Sequence, residues 1–143
     1  MRHEHFERSG VALRPPEWRI VRMLRTRDDI GPIEAELAAN IGDARAAQAI
    51  DGFLQVLAML GQHGWNAPLI LRPGARSVSD DELNLARFVL HCAEQDRDTA
   101  TAEAMMLVAP QAILPLVEAG TRLGLPLLCE ECRDRLRCPL TFQ

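Results

Sequence analysis

Apolar residues recur every three to four positions along most of this 143-residue chain. The pattern is most regular after Asp43, where it comprises Ala46, Ala49, Ile50, Phe53, Leu54, Val56, Leu57 and Leu60. This spacing matches the turn of an α-helix, whereas a half-buried strand alternates every second residue. The apolar arc is wide, so we expect this helix to be buried against several neighbours.

The same periodicity predicts an all-α fold, a compact bundle of five or six helices. Helices are expected over about residues 17–27, 33–40, 43–63, 80–95, 98–109 and 113–123. Prolines at 68 and 73 exclude a helix between them, so residues 67–73 are expected to form one short extended segment. Short connections favour antiparallel neighbours within the bundle.

Several residues mark helix ends. Ser79 and Glu82 have the spacing of a capping box, in which the serine hydroxyl and the glutamate carboxylate each accept from a free amide. Asp98 is expected to cap the next helix. Gly124 followed by Pro126 predicts the end of the last helix. Gly52 is expected on a narrow polar stripe of the 43–63 helix.

The chain is predicted to have one helical domain with a polar segment at each end. Residues 1–13 lack periodicity and are expected to form a flexible arm. The helical domain covers residues 14–126, and residues 127–143 form a cysteine-containing tail.

Composition indicates the type of source organism, the partners and the localisation to expect. All 16 basic residues are arginine, which indicates the coding bias of a GC-rich bacterium. The net charge of −4 makes nucleic acid an unfavourable partner, because that binding needs a positive footprint. The sequence shows no apolar signal region and no uninterrupted apolar run of about 18 residues, so we expect a cytoplasmic protein without membrane association.

Arg19, Arg22 and Arg25 form a stripe on the first predicted helix. One interpretation is contact with a phosphate backbone or an acidic partner. The other is a solvated face that pairs with acids nearby in sequence, namely Glu17, Asp28 and Asp29.

The C-terminal cysteines are the main candidates for metal chemistry. Cys129 and Cys132 form a Cys-x-x-Cys pair, whose two thiolates can reach one tetrahedral ion. Cys138 and His91 are candidate further ligands, and zinc or an iron–sulfur cluster is the group this set would hold. The alternatives are free reduced thiols, with no cofactor, or a redox dithiol. The strong signal for zinc is two such pairs, and this sequence has one.

His91 and Cys92 are adjacent but do not form a base–nucleophile pair, because consecutive helical residues point about 100° apart. Cys92 shares the apolar stripe of Ala86 and Val89 and is predicted to be a buried, inert thiol.

Three segments carry a family resemblance. They are residues 43–47 (Asp-Ala-Arg-Ala-Ala), residues 68–72 (Pro-Leu-Ile-Leu-Arg), and the acid-capped helix start at Asp81-Glu82 with Leu85. Over roughly residues 18–126, the chain resembles a family of small alphaproteobacterial helical proteins of unknown function. The resemblance implies a helical fold and no activity. The family carries a cysteine cluster before the capped helix, where this chain has Arg76-Ser77-Val78.

Three functions follow as hypotheses. A non-catalytic interaction or regulatory module is favoured, because the apolar Met105-Met106 region and the wide arc of the 43–63 helix indicate a homodimer or a protein partner. A small metal-binding protein using the C-terminal cysteines is the alternative. An enzyme ranks last, because the sequence offers no organised set of acid, base and nucleophile.

Overall fold

The computed structural model describes residues 7–8 and 12–137, and this part of the chain forms a helical bundle, as predicted. Its helices are α1 (Pro15–Arg25), α2 (Gly31–Ile41), α3 (Asp43–His63), α4 (Asp80–Ala93), α5 (Arg97–Leu107) and α6 (Ile113–Arg137), with a 3-10 turn at Pro110–Ala112. Helix α6 packs most extensively against α3 and α4. The core between these three helices contains Phe53, Phe88 and Leu116.

Two short strands join the N-terminal segment to the bundle. Strand β1 (Glu7–Arg8) pairs antiparallel with β2 (Val78–Ser79), with Glu7 opposite Ser79. The predicted flexible arm at 1–13 lies mostly outside the described residues. Of its four described residues, 7 and 8 are paired with β2, and 12 and 13 belong to no helix or strand. Residues 67–73 form no helix and no strand, in agreement with an extended segment.

The capping box of α4 is confirmed. The hydroxyl of Ser79 accepts from the amide of Glu82 at 3.0 Å, and the Glu82 carboxylate accepts from the amide of Ser79 at 3.0 Å. The predicted cap of α5 was wrong by two residues. Asp96 is the N-cap and accepts from the amide of Thr99, whereas Asp98 lies in the first turn, where its charge favours the helix start.

The predicted end of the last helix was wrong. Helix α6 continues through Pro126 to Arg137, so residues 127–137 belong to it rather than to a tail. A helical proline lacks the amide that would bond the carbonyl four residues earlier, here that of Arg122. Gln48 of α3 supplies the replacement, because its side-chain amide donates to the Arg122 carbonyl at 3.2 Å.

Gly52 lies where α3 crosses α6, and not on a polar stripe as predicted. A Cβ atom at this position would lie 2.6 Å from the amide nitrogen of Leu123 and 3.0 Å from the carbonyl oxygen of Ala119. Both atoms belong to the α6 backbone, which cannot rotate away. The absence of a side chain therefore sets the separation of the two helices.

Two glycines of α6 play the same part against α4. A Cβ at Gly120 would lie 2.8 Å from the sulfur of Cys92, and a Cβ at Gly124 would lie 2.7 Å from the Cβ of Ala93. Gly124 was predicted to end the helix. It lies instead one turn after Gly120 on the face that contacts α4.

One stretch of the described residues, Pro110–Leu136, is long and apolar enough to cross a membrane by length and composition. Its best window has a mean hydropathy of 1.4, and half of that window is buried in the bundle. Glu118 and Arg122 interrupt its apolar residues, so the stretch is not a continuous apolar run in the sequence. Core helices of globular proteins satisfy the same criteria.

Replacing Gly52 with alanine should destabilise the bundle by about 1–3 kcal/mol, because the new methyl group forces α3 and α6 apart. Gly61→Ala is the matched control on the same helix, since nothing lies within 4 Å of its Cβ position. That variant should be neutral or more stable by up to about 1 kcal/mol, from helix propensity alone. Urea unfolding measures both, and equal effects would contradict the close crossing.

Candidate functional site

The arginines of α1 bind carboxylates on other helices. Arg19 donates to both oxygens of Glu130 on α6, at 3.1 and 2.5 Å, and to Glu36 on α2 at 2.9 Å. Arg22 also binds Glu36, at 3.1 Å. The Glu130 carboxylate receives a further hydrogen bond from Asn40 at 2.7 Å. The predicted solvated face pairing with Glu17, Asp28 and Asp29 was therefore wrong, because the partners are distant in sequence.

These pairs shift the pKa values of Arg19 and Glu36. Burial lowers the pKa of Arg19, but the hydrogen bonds with Glu130 and Glu36 outweigh it and raise that pKa overall. The pKa of Glu36 is lowered by hydrogen bonds from Arg22 and then Arg19. Both shifts favour the charged forms of Arg19 and Glu36.

Arg14, just before α1, extends this network along α6. Its guanidinium donates to both oxygens of Glu131, at 3.3 and 2.9 Å, and to Glu94 at 3.0 Å. The hydrogen bond with Glu131 raises the pKa of Arg14. The two adjacent glutamates of the Cys-x-x-Cys motif are thus each bound by an arginine of the α1 region.

The most buried ion pair joins α1 to the start of α4. Arg25 and Glu82, with side chains 5% and 0% exposed, form two hydrogen bonds of 2.9 Å. The pair also binds the backbone of the connection before α4 through Ala75 O, Ser77 O, Leu71 N and Ser79 N. This arrangement fixes the path of the connection between α3 and α4.

The predicted metal ligands are not brought together within the described chain. Cys129 is partly buried and Cys132 is exposed, one helical turn apart on α6. Cys138 lies outside the described residues. His91 is engaged elsewhere, since its Nδ1 lies 2.8 Å from a carboxylate oxygen of Glu103 on α5. In residues 7–8 and 12–137, no three side chains of histidine, cysteine, aspartate or glutamate are placed to share one ion.

Cys92 is a buried core thiol, as predicted. It lies against Gly120 at the α4–α6 contact. Burial, followed by the negative charge of Glu103, raises the pKa of this thiol to about 12. The thiol is therefore protonated and unreactive at neutral pH.

An exposed apolar surface lies where α3 and α5 end. We call Trp65, Met105 and Met106 the Trp65 surface. Trp65 is 56% exposed and Met106 is 80% exposed. The indole nitrogen of Trp65 donates to the carbonyl of Met105 at 3.2 Å, and its amide donates to the carbonyl of Leu107 at 3.1 Å. The tryptophan ring is thus tethered beside the methionines while much of it faces solvent.

Two cavities adjoin this surface, separated by the connecting segment 66–68. One, of about 360 Å³, lies between α1, α3 and this segment and is lined by Leu57, Leu60 and Trp65, with Arg27 as its charged group. The other, of about 110 Å³, is lined by Leu60, Met106 and Asp81. The surface therefore combines exposed apolar side chains with two neighbouring cavities that have both apolar and polar linings.

The sequence indicated only part of this surface. Met105 and Met106 were predicted to form an interaction region, and both are exposed. Trp65 was not predicted, because it follows the helix-ending Gly64 and belongs to no periodic pattern. The available signal was a tryptophan in a connection of small and polar residues, where a core position is not expected.

No family model, curated protein sequence or solved structure matches this chain. The resemblance to alphaproteobacterial proteins therefore stays an expectation.

Arg25→Met should cost about 3–5 kcal/mol of stability, because it leaves the Glu82 carboxylate buried without a cation. Arg22→Met is the matched control, since that arginine is half exposed and its partner Glu36 is too. The control should cost less than about 1 kcal/mol. Denaturant unfolding of both variants gives the comparison. Similar losses would show that Glu82 does not depend on Arg25.

Thiol titration should separate the described cysteines. In a Cys138→Ser background at pH 8, Cys132 should react first with an aromatic disulfide reagent. Cys92 should react only after unfolding, because almost none of its thiol is ionised in the folded protein. The same protein in denaturant provides the control, in which all three thiols react at one rate. A fast reaction of Cys92 in the native protein would contradict its burial.

Proposed function

We propose that this chain is a non-catalytic interaction module that binds a protein partner through the Trp65 surface. The observation that carries the proposal is the exposure of Trp65 and Met106 near the end of α5, each lining one of two neighbouring cavities. Tryptophan dominates the energetics of many protein interfaces, and methionine adapts to irregular partner surfaces.

The geometry of Trp65 supports this role. One hydrogen bond from the indole nitrogen and one from the backbone amide join Trp65 to the end of α5 and restrict the ring before any partner arrives. An interface that uses a fixed aromatic ring loses less conformational entropy on binding than one that must order a mobile side chain. The two cavities beside residues 66–68 would receive apolar side chains of the partner.

The proposal is tested by photo-crosslinking in cells that express the full chain. A photoreactive phenylalanine analogue at position 105 or 106 should give one adduct of defined mass. The same analogue at position 44 is the control, because Ala44 is exposed at the opposite end of α3. Equal adducts from all positions, or none from 105 and 106, would contradict the proposal.

A second variant shows whether the surface carries affinity. With the analogue at position 105, Met106→Glu should reduce the adduct about tenfold, which corresponds to about 1.4 kcal/mol of binding free energy. Circular dichroism should be unchanged, because the side chain of Met106 is 80% exposed. An unchanged adduct would show that the partner binds elsewhere.

A further inference from the structure

In the last turns of α6, charged side chains are buried and apolar side chains are exposed. Glu130 and Glu131 are buried, at 6% and 8% exposure, whereas Leu136 is 76% and Leu125 is 42% exposed. Cys132 is exposed as well. Buried ion pairs add little net stability compared with well-packed apolar residues, and exposed leucines add none. The arrangement is favourable if the outer face of α6 is covered.

Four residues follow one line along this side of α6, which we call the α6 seam: Leu125, Cys129, Cys132 and Leu136, of which Cys129 is partly buried and the other three are exposed. At 3.6 residues per turn, they fall within about 60° of one another around the helix. Their intervals of four, three and four residues are those of the apolar seam in a helix pair. The α6 seam is therefore suited to contact one other helix.

The spacing of four, three and four residues is the same in either direction along the helix. A two-fold axis midway between Cys129 and Cys132 would place Leu125 opposite Leu136 of a second copy. It would also place Cys129 opposite Cys132 of that copy, so that each contact occurs twice, as a two-fold interface requires. All four cysteines would then surround the axis.

We propose that two copies of this chain pair antiparallel along the α6 seam and that their four cysteines bind one zinc ion. One chain offers two thiols one turn apart, which is half of the four-cysteine tetrahedral set typical of structural zinc. The second copy supplies the other half, without need of Cys138 or His91. Each thiol loses its proton on binding the metal.

Local charges fit this arrangement. A zinc ion with four thiolates carries two negative charges, and Arg133 and Arg135 follow Cys132 on the same helix. Arg133 also donates to the carbonyl of Asn40, and Arg135 also pairs with Glu131. The neighbouring carboxylates of Glu130 and Glu131 are bound by arginines. An antiparallel pair also keeps the arginines of the two helix ends apart, whereas a parallel pair would bring them together.

The metal is expected to be necessary for pairing. The α6 seam spans about 16 Å at a rise of 1.5 Å per residue, which is short for a stable interface. Full-length, untagged protein with added Zn²⁺ should sediment as a dimer and hold about half a zinc ion per chain by elemental analysis. A chelator should return it to monomer without loss of helical circular dichroism. This experiment does not involve the Trp65 surface.

Cysteine variants locate the ligands. Cys129→Ser and Cys132→Ser should each abolish zinc binding and the dimer. Cys138→Ser, the matched control, should retain both. Zinc bound by a monomer, loss of zinc in the Cys138→Ser variant, absence of zinc binding, or a dimer that persists in chelator would each overturn the proposal.

A charge exchange tests the orientation. Leu125→Glu or Leu136→Arg alone should weaken the zinc-bound dimer at least about tenfold. The double variant should recover most of the loss, because an antiparallel pair places glutamate opposite arginine. A parallel pair would place like charges together, so a further loss in the double variant would overturn the antiparallel arrangement. Leu114→Arg, outside the α6 seam, should change nothing.

Discussion

The separation of α6 from α3 is set by contact between the two backbones, and its separation from α4 is set by the α6 backbone mainly against α4 side chains. At Gly52, a single methyl group would meet the α6 backbone, and at Gly120 and Gly124 it would meet α4. Side chains can exchange rotamers to relieve crowding, but two helix backbones in contact cannot. These close contacts therefore fix the distance of α6 from α3 and from α4. The rest of the bundle, including the arginines of α1, is placed relative to it.

That fixed position explains why buried charges are tolerated. Arg19 reaches Glu130, and Arg25 reaches Glu82, with both oxygens of each carboxylate engaged. Such pairs contribute little net stability, but leaving one partner unpaired is costly. They therefore disfavour any packing that shifts α1 relative to α4 or α6. The glycines allow the helices to approach closely. The ion pairs then favour one position of α1 relative to α4 and α6.

Periodicity predicted the helices well because each helix buries one apolar face, and the capping box of Ser79 and Glu82 was predicted because it is a local motif. Failures arose where a distant contact overrides a local signal. Pro126 signals a helix end, yet Gln48 satisfies the carbonyl that the proline leaves free. Gly124 signals a C-cap, yet it serves close packing. The partners of the α1 arginines lie too far along the chain for any sequence pattern to identify them.

The Cys-x-x-Cys motif shows a different limit of sequence reasoning. Within one chain, the motif offers two metal ligands, which is fewer than the four of a structural zinc site. Whether the cysteines are accessible depends on the rotation of α6 about its own axis. The buried ion pairs of Glu130 and Glu131 set that rotation. Because consecutive helical residues differ by about 100°, binding Glu130 and Glu131 to Arg19 and Arg14 leaves Cys132 exposed and Cys129 partly buried at the edge of the core. A rotation that buried the cysteines would leave two carboxylates unpaired. The ion pairs thus keep Cys132 exposed, on the side of α6 that the proposed second copy would contact.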